Sequence, residues 1–134
     1  QHVLEALSGY ILLAVKLKLD PKIHGEAFNF GPKLNHNYSV LSLLKRIKKI
    51  WPSILWTTTK KKKKFKESNL LKLNCTKAKK IMNWQSTLSF NENIKMTIDW
   101  YKAYYISKDS KKMRIFSENQ IFQFMNLIKK RSKK

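Results

Sequence analysis

The sequence predicts an α/β fold, and three observations carry the prediction. Apolar residues recur at helical spacing in five stretches. Between them lie short runs rich in aliphatic, β-branched and aromatic residues, Phe28–Phe30, Ile54–Thr59 and Leu70–Leu73, which read as strands. Proline, glycine or a capping residue separates most of these runs from the next.

The first helix is expected over residues 3–19. Leu4, Leu7, Ile11 and Val15 share one face with the stem of Lys18, while Leu12, Leu13 and Leu17 widen it, so cover on more than one side is expected. Asp20-Pro21 ends it, because a proline disfavours helical backbone at the residue before it. Gly31-Pro32 breaks the Phe28–Phe30 run. Ser39 is placed to cap a second helix whose stripe is Val40, Leu43, Leu44, Ile47 and Ile50, closed by Trp51-Pro52. Lys60–Lys66 reads as a charged, mobile connection. Asn74 is placed to cap a third helix through Ala78, Ile81 and Met82, which Asn83-Trp84 ends. Ser89-Phe90-Asn91-Glu92 fits a capping box, and Phe90, Ile94, Ile98, Tyr101 and Tyr105 form the stripe of the fourth helix. Ile106–Arg114 reads as a basic linker, Ser117–Ile128 as a terminal amphipathic helix and Lys129–Lys134 as a frayed tail.

The chain has 134 residues, 43% of them hydrophobic, enough for the core of one domain. Its single cysteine, Cys75, excludes an internal disulfide. The apolar run Tyr10–Val15 is far short of the roughly 20 residues a membrane span needs. No leader and cleavage site open the sequence, so a cytoplasmic location is expected. The formal charge is +21, yet arginine supplies only three of the 29 basic residues, Arg46, Arg114 and Arg131. Recognition of phosphate or bases ordinarily recruits the arginine fork as well. Abundant Lys, Asn, Ile and Phe share A/T-rich codons, so genome composition accounts for the charge without a polyanionic partner.

Four stretches in register carry a resemblance. They are Gln1-His2-Val3-Leu4-Glu5 with Leu7-Ser8-Gly9-Tyr10, then Gly25–Pro32 (GEAFNFGP), then Leu70–Tyr105 with its Lys-Ala helix, Trp84, and Ser89-x-x-Glu92 helix reaching Trp100-Tyr101, and finally Phe116–Ile121. Together they resemble the C-terminal third of the extended short-chain dehydrogenase/reductases, the NAD-dependent epimerase/dehydratase family, and within it the nucleotide-sugar 4,6-dehydratases. The resemblance implies a C-terminal substrate-binding portion without most of the Rossmann domain. Residues 1–105 would be the sugar-nucleotide-binding part, and residues 106–134 the linker and terminal helix. The implied parent reaction is NAD-assisted loss of water from a CDP-hexose: hydride leaves C4, water is eliminated across C5 and C6, and hydride returns to C6. Implied partners are a CDP-sugar, a dinucleotide-binding half that this sequence does not contain, and further copies of the whole protein.

The resemblance selects Glu67, Lys66 and Lys64 as the ligand-facing set. Glu67 would accept ribose hydroxyls, and Lys64 or Lys66 would neutralise diphosphate charge. Lys66 stands where the family has histidine, and Asn74 where it has aspartate. A solvated charged loop is the alternative reading of this stretch. Asn29, at the end of a strand, would either touch the substrate or cap the turn. His2 follows the position of a family arginine and would be a substrate contact or a structural support.

Chemistry beyond binding is not expected. Gly9, Gly25 and Gly31 make no G-x-G-x-x-G turn, so no NAD site is expected, and no P-loop is present. Tyr104-x-x-x-Lys108 matches the family's catalytic pair, but with five tyrosines and lysine at roughly one position in five such a match arises by chance. It also lies after the helix pair that should follow the catalytic residues. His2, His24, His36 and Cys75 show no metal-ligand spacing. The chain is therefore read as a nucleotide-sugar-binding piece that is inactive alone, the alternative being a small lysine-rich nucleic-acid-binding or structural protein.

Overall fold

The computed structural model describes residues 1–33, 38–57 and 72–132. It corrects the predicted class. Helix accounts for 69% of the described residues, and none of them is in a strand. The helices are α1 (Val3–Leu19), α2 (Val40–Ile50), α3 (Thr76–Met82), α4 (Phe90–Ser107) and α5 (Ser110–Ser132), with a 3-10 turn at Pro21–Ile23. A strand exists only as a hydrogen-bonded pair. Side chains, not a ladder, hold Phe28–Phe30: the Asn29 amide donates to the Asn74 carbonyl at 3.3 Å, Glu26 pairs with Lys77, and Phe30 meets Trp84 edge-on at 4.9 Å. Residues 54–57 and 72–73 are likewise irregular. The rest of those two expected strands, and the Lys60–Lys66 connection, lie outside the described residues.

Local signals place most helix ends. Ser39 Oγ accepts the Ser42 N–H at 3.1 Å, and α2 stops at Trp51. The Ser89–Glu92 capping box is present with both halves. Asn74 supplies its oxygen to the Thr76 N–H at 3.0 Å, but the cap position itself is Cys75, one residue later than expected. The expected basic linker over 106–114 is mostly helix. Lys108 turns left-handed at φ 48° to end α4, and Asp109 accepts the Lys111 and Lys112 N–H groups to start α5. Lysine is a good helix former, so a lysine-rich stretch with one capping aspartate continues the fold instead of interrupting it.

The short turn at Lys108-Asp109 makes α4 and α5 an antiparallel hairpin. Trp100 Nε1 donates to Ser117 Oγ at 2.9 Å, Gln120 to the Met96 carbonyl at 2.7 Å, and Arg131 to Glu92 at 2.8 Å. On its other side α4 receives α2 in parallel, with Tyr38 stacked on Phe90 at 3.6 Å and Lys102 donating to the Ile50 carbonyl at 3.1 Å. Hence α4 buries Ile94 and Ile98 together with Met96 from its opposite face, while Tyr101 and Tyr105 of the expected stripe stay exposed.

Two apolar clusters form. Phe30, Ala78, Met82 and Trp84 pack with Leu12 and Leu13; Leu88, Met96 and Phe124 pack with Leu4. Helix α1 joins both through Leu4, Leu12 and Leu13 of its expected face, but Leu7, Ile11 and Val15 are exposed, and Glu5 and Gly9 are buried. A methyl at Gly9 would lie 2.6 Å from Phe30 Cγ, so glycine is what lets the ring lie on the α1 backbone. No helix among the described residues is long and apolar enough to cross a membrane.

Candidate functional site

The segment from Asn83 to Ser89 links the two apolar clusters. Asn83 is left-handed at φ 55°, and its N–H and that of Trp84 close α3 on the Lys79 and Ala78 carbonyls. The chain then crosses α1 before Ser89 caps α4. Glu5 holds the crossing from below. Only 1% of its surface is exposed, and its carboxylate accepts the Leu88 N–H and, at 3.0 Å, the Thr87 N–H. Arg131 holds it from the α5 side, donating to the Thr87 carbonyl and to both Glu92 oxygens at 2.8 and 3.0 Å. Ser8 bridges Trp84 Nε1 to the Glu5 carbonyl at 3.0 and 2.7 Å. Asn93 accepts the His2 N–H at 2.6 Å and donates to the Leu88 and Ser89 carbonyls.

Beside this network lies an open groove of about 760 Å³, bordered by Ser8, Trp84, Thr87, Ser89, Lys33 and Arg131. Its wall carries hydroxyls and amides, but Leu12, Leu88 and Ile128 also line it, and Arg131 at its rim is already paired with Glu92. The carboxylates near it titrate in opposite senses. Burial pushes the Glu5 carboxyl above its usual range despite its two N–H donors and Arg131. At Glu92, burial acts against ionisation, but the bonds from Ser89 and Arg131 outweigh it and hold the carboxyl below its usual value.

The residues selected from sequence do not converge here. His2 is buried at the N-cap of α1, where Nδ1 accepts the Leu4 N–H at 3.3 Å, and burial lowers the imidazole's pKa. It borders a separate hollow of about 410 Å³ with Trp100 and Gln120. Asn29 is exposed and reaches Asn74. Lys64, Lys66 and Glu67 lie outside the described residues. Glu5 and Arg131, which hold the same crossing through different partners, were both missed, and only Glu5 left a signal. The available signal was an acid followed four residues later by glycine inside an apolar helix, which marks Glu5 and Gly9 as one inward face.

Catalytic arrangements are not found among the described residues. Lys108 lies past the end of α4, and Tyr104 stacks on Trp100 at 5.5 Å, so the Tyr-x-x-x-Lys match is not on one continuous helix. No described serine or cysteine side chain bonds a histidine, and no three His, Cys, Asp or Glu side chains group to hold a metal. Burial pushes the Cys75 thiol up. The glycines do not fit NAD either. Phe30 occupies the space over Gly9, Gly31 packs on Leu73 and Cys75, and Gly25 follows a 3-10 turn instead of opening a helix.

No protein-family model matches the chain, and no solved structure does. Over 126 residues it is 29% identical to the CDP-glucose 4,6-dehydratase of Salmonella typhimurium, an alignment that takes in 94% of this chain and 34% of that protein. The chain thus spans about a third of that relative's length and is similar to a part of a nucleotide-sugar dehydratase.

Proposed function

We propose that the chain is the C-terminal, sugar-nucleotide-binding part of a CDP-glucose 4,6-dehydratase. The observation that supports this reading is identity spread over 94% of the chain to a protein of that name. Lys64 and Lys66 would meet the diphosphate and Glu67 the ribose hydroxyls. Asn29 is exposed, with its amide nitrogen already donating to the Asn74 carbonyl, so a ligand would meet its oxygen; His2, buried and already accepting from Leu4, positions the start of α1. The NAD site and the base that starts the reaction are assigned to a dinucleotide-binding half on a polypeptide region other than this one.

Titration calorimetry on the 134-residue chain tests the reading. Binding of CDP-glucose is expected, with no binding of NAD and no turnover. Glu67→Ala should weaken CDP-glucose several-fold more than inorganic pyrophosphate, because only the former presents a ribose. Equal weakening of both would remove Glu67 from the site, and turnover by the chain alone would overturn the division of labour.

A further inference from the structure

We propose that the outward half of α1 is a docking face, and that its occupant is the apolar face of the parallel sheet in the dinucleotide-binding half. At 3.6 residues per turn, Val3, Leu7, Tyr10, Ile11, Val15 and Leu19 fall within one half of the helix circumference. All six are exposed, Val3 at 62%, Ile11 at 66% and Leu19 at 70%, so the face is open from one end of the helix to the other. Ala14 and Lys18 complete the exposed residues of α1, and Lys18 alone among them is charged. The opposite half carries the buried Glu5 and Gly9 and packs on the Phe30 cluster through Leu12 and Leu13. A surface helix normally turns its charged residues outward, and a helix that is apolar on both sides is a covered one.

Other occupants fit less well. The lysine-rich stretch 58–71 of this chain is too charged to cover an apolar face. Two copies joined through α1 alone have too little area. A helix of 17 residues is about 25 Å long and about 10 Å wide, whereas a stable interface needs about 1,200 Å² in total. A lipid surface holds an interfacial helix through Lys and Arg beside its apolar face, and here only Lys18 is so placed.

A dinucleotide-binding half supplies what α1 lacks. It is built on a mostly parallel sheet, whose strands are apolar on both faces and are covered there by helices. The described residues contain no strand, so the outward half of α1 meets no sheet among them. The alignment leaves about two thirds of the Salmonella typhimurium dehydratase unmatched, enough sequence for such a half. Within one polypeptide the two surfaces meet at high effective concentration, so the contact does not need the area of a free dimer. The inference rests on the reading of this chain as the C-terminal part of such a protein.

The test is co-expression of the tagged 134-residue chain with the unmatched part of the Salmonella typhimurium protein, followed by purification on the tag and measurement of the recovered partner. The parent chain should recover it. Leu7→Gln with Ile11→Gln, which removes two apolar side chains from the face without changing charge, should recover about ten-fold less. Phe122→Gln, on α5 and 63% exposed, should recover as much as the parent. Thermal melts by circular dichroism check that the variants fold. If the double variant does not, Ile11→Gln alone still has to reduce recovery several-fold. No recovery by the parent chain, or equal recovery by the α1 variants, would overturn the proposal. So would light scattering that finds the parent chain dimeric and the α1 variant monomeric, which gives the face to a second copy. Binding to anionic vesicles that the α1 variant loses would give it to a membrane and overturn the proposal too. Calorimetry with CDP-glucose keeps the two readings apart. Ligand binding without recovery of the partner removes only the docking face, and recovery without ligand binding removes only the sugar-nucleotide assignment.

Discussion

The two apolar clusters are held by different means. Around Phe30 the packing depends on shape: the ring lies on Gly9, is edge-on to Tyr10 at 5.5 Å and to Trp84 at 4.9 Å, and abuts the fully buried Ala78. Around Met96 one ring, Phe124, packs with the more adaptable Leu88 and Met96, and directional bonds fix the position: Gln120 donates to the Met96 carbonyl, and Glu5 accepts the Thr87 and Leu88 N–H groups. Rigid rings tolerate no change of outline, whereas methionine fills irregular space with three rotatable bonds. The first cluster is therefore sensitive to volume and the second to loss of a polar partner.

That contrast breaks first at Phe30. Phe30→Ala should cost about 3–5 kcal/mol, since it removes a buried ring and leaves a void against the α1 backbone. Met96→Leu, at an equally buried position, should cost less than about 1.5 kcal/mol. Chemical denaturation of both variants measures the two values. Equal losses would show that the clusters do not differ in rigidity.

The second cluster should respond to Glu5→Gln. An ionised carboxylate offers an acceptor to each of two N–H groups, whereas glutamine presents an NH₂ to one of them. The unsatisfied donor should cost about 1–3 kcal/mol at neutral pH. The pH dependence has a definite sign. The folded Glu5 carboxyl binds protons more tightly than the unfolded one, so its contribution is greatest below the unfolded value and declines as pH rises through the window up to the raised folded value. In Glu5→Gln that decline should vanish from a series of denaturation curves taken across the window. Its persistence would place the titration on another group.

How far the sequence disclosed this arrangement depended on whether a feature was local. The Ser39 and Ser89 caps, and the ends of α1 and α2, require only a few neighbouring residues, and they were legible. Strand and face assignments depend on partners distant in sequence. Phe28–Phe30 has strand composition, but Trp84 and Lys77 claim its side chains and no ladder forms. The apolar repeat of α1 pointed to Leu4, Leu7, Ile11 and Val15, of which only Leu4 packs in a cluster, while Phe30 and the Thr87–Leu88 amides select Gly9 and Glu5 as inward positions. The groove was illegible for the same reason, since Ser8, Lys33, Thr87 and Arg131 share no motif and meet only through that packing.

The smallest effect is expected at the boundary between the clusters, where α4 begins. Ser89 Oγ accepts the Glu92 N–H at 3.3 Å, a long bond, whereas the Glu92 carboxylate accepts the Ser89 N–H at 2.7 Å and also holds Arg131. Ser89→Ala therefore loses only the weaker half of the box and should cost at most about 1 kcal/mol. The Ser89 hydroxyl also helps hold the Glu92 carboxyl down, so part of that cost should fade on acidification, and the part that is the neutral cap on the Glu92 N–H should remain. Glu92→Gln is the contrasting case. Glu92 is held below its usual pKa, so its contribution is fully present above the unfolded value and disappears as pH falls through the folded one. The difference between Glu92→Gln and the parent chain should close on acidification, while that of Ser89→Ala should close only in part. If the two variants lose stability in parallel at every pH, Arg131 takes no electrostatic part in holding the start of α4, and the polar description of the second cluster is wrong at its edge.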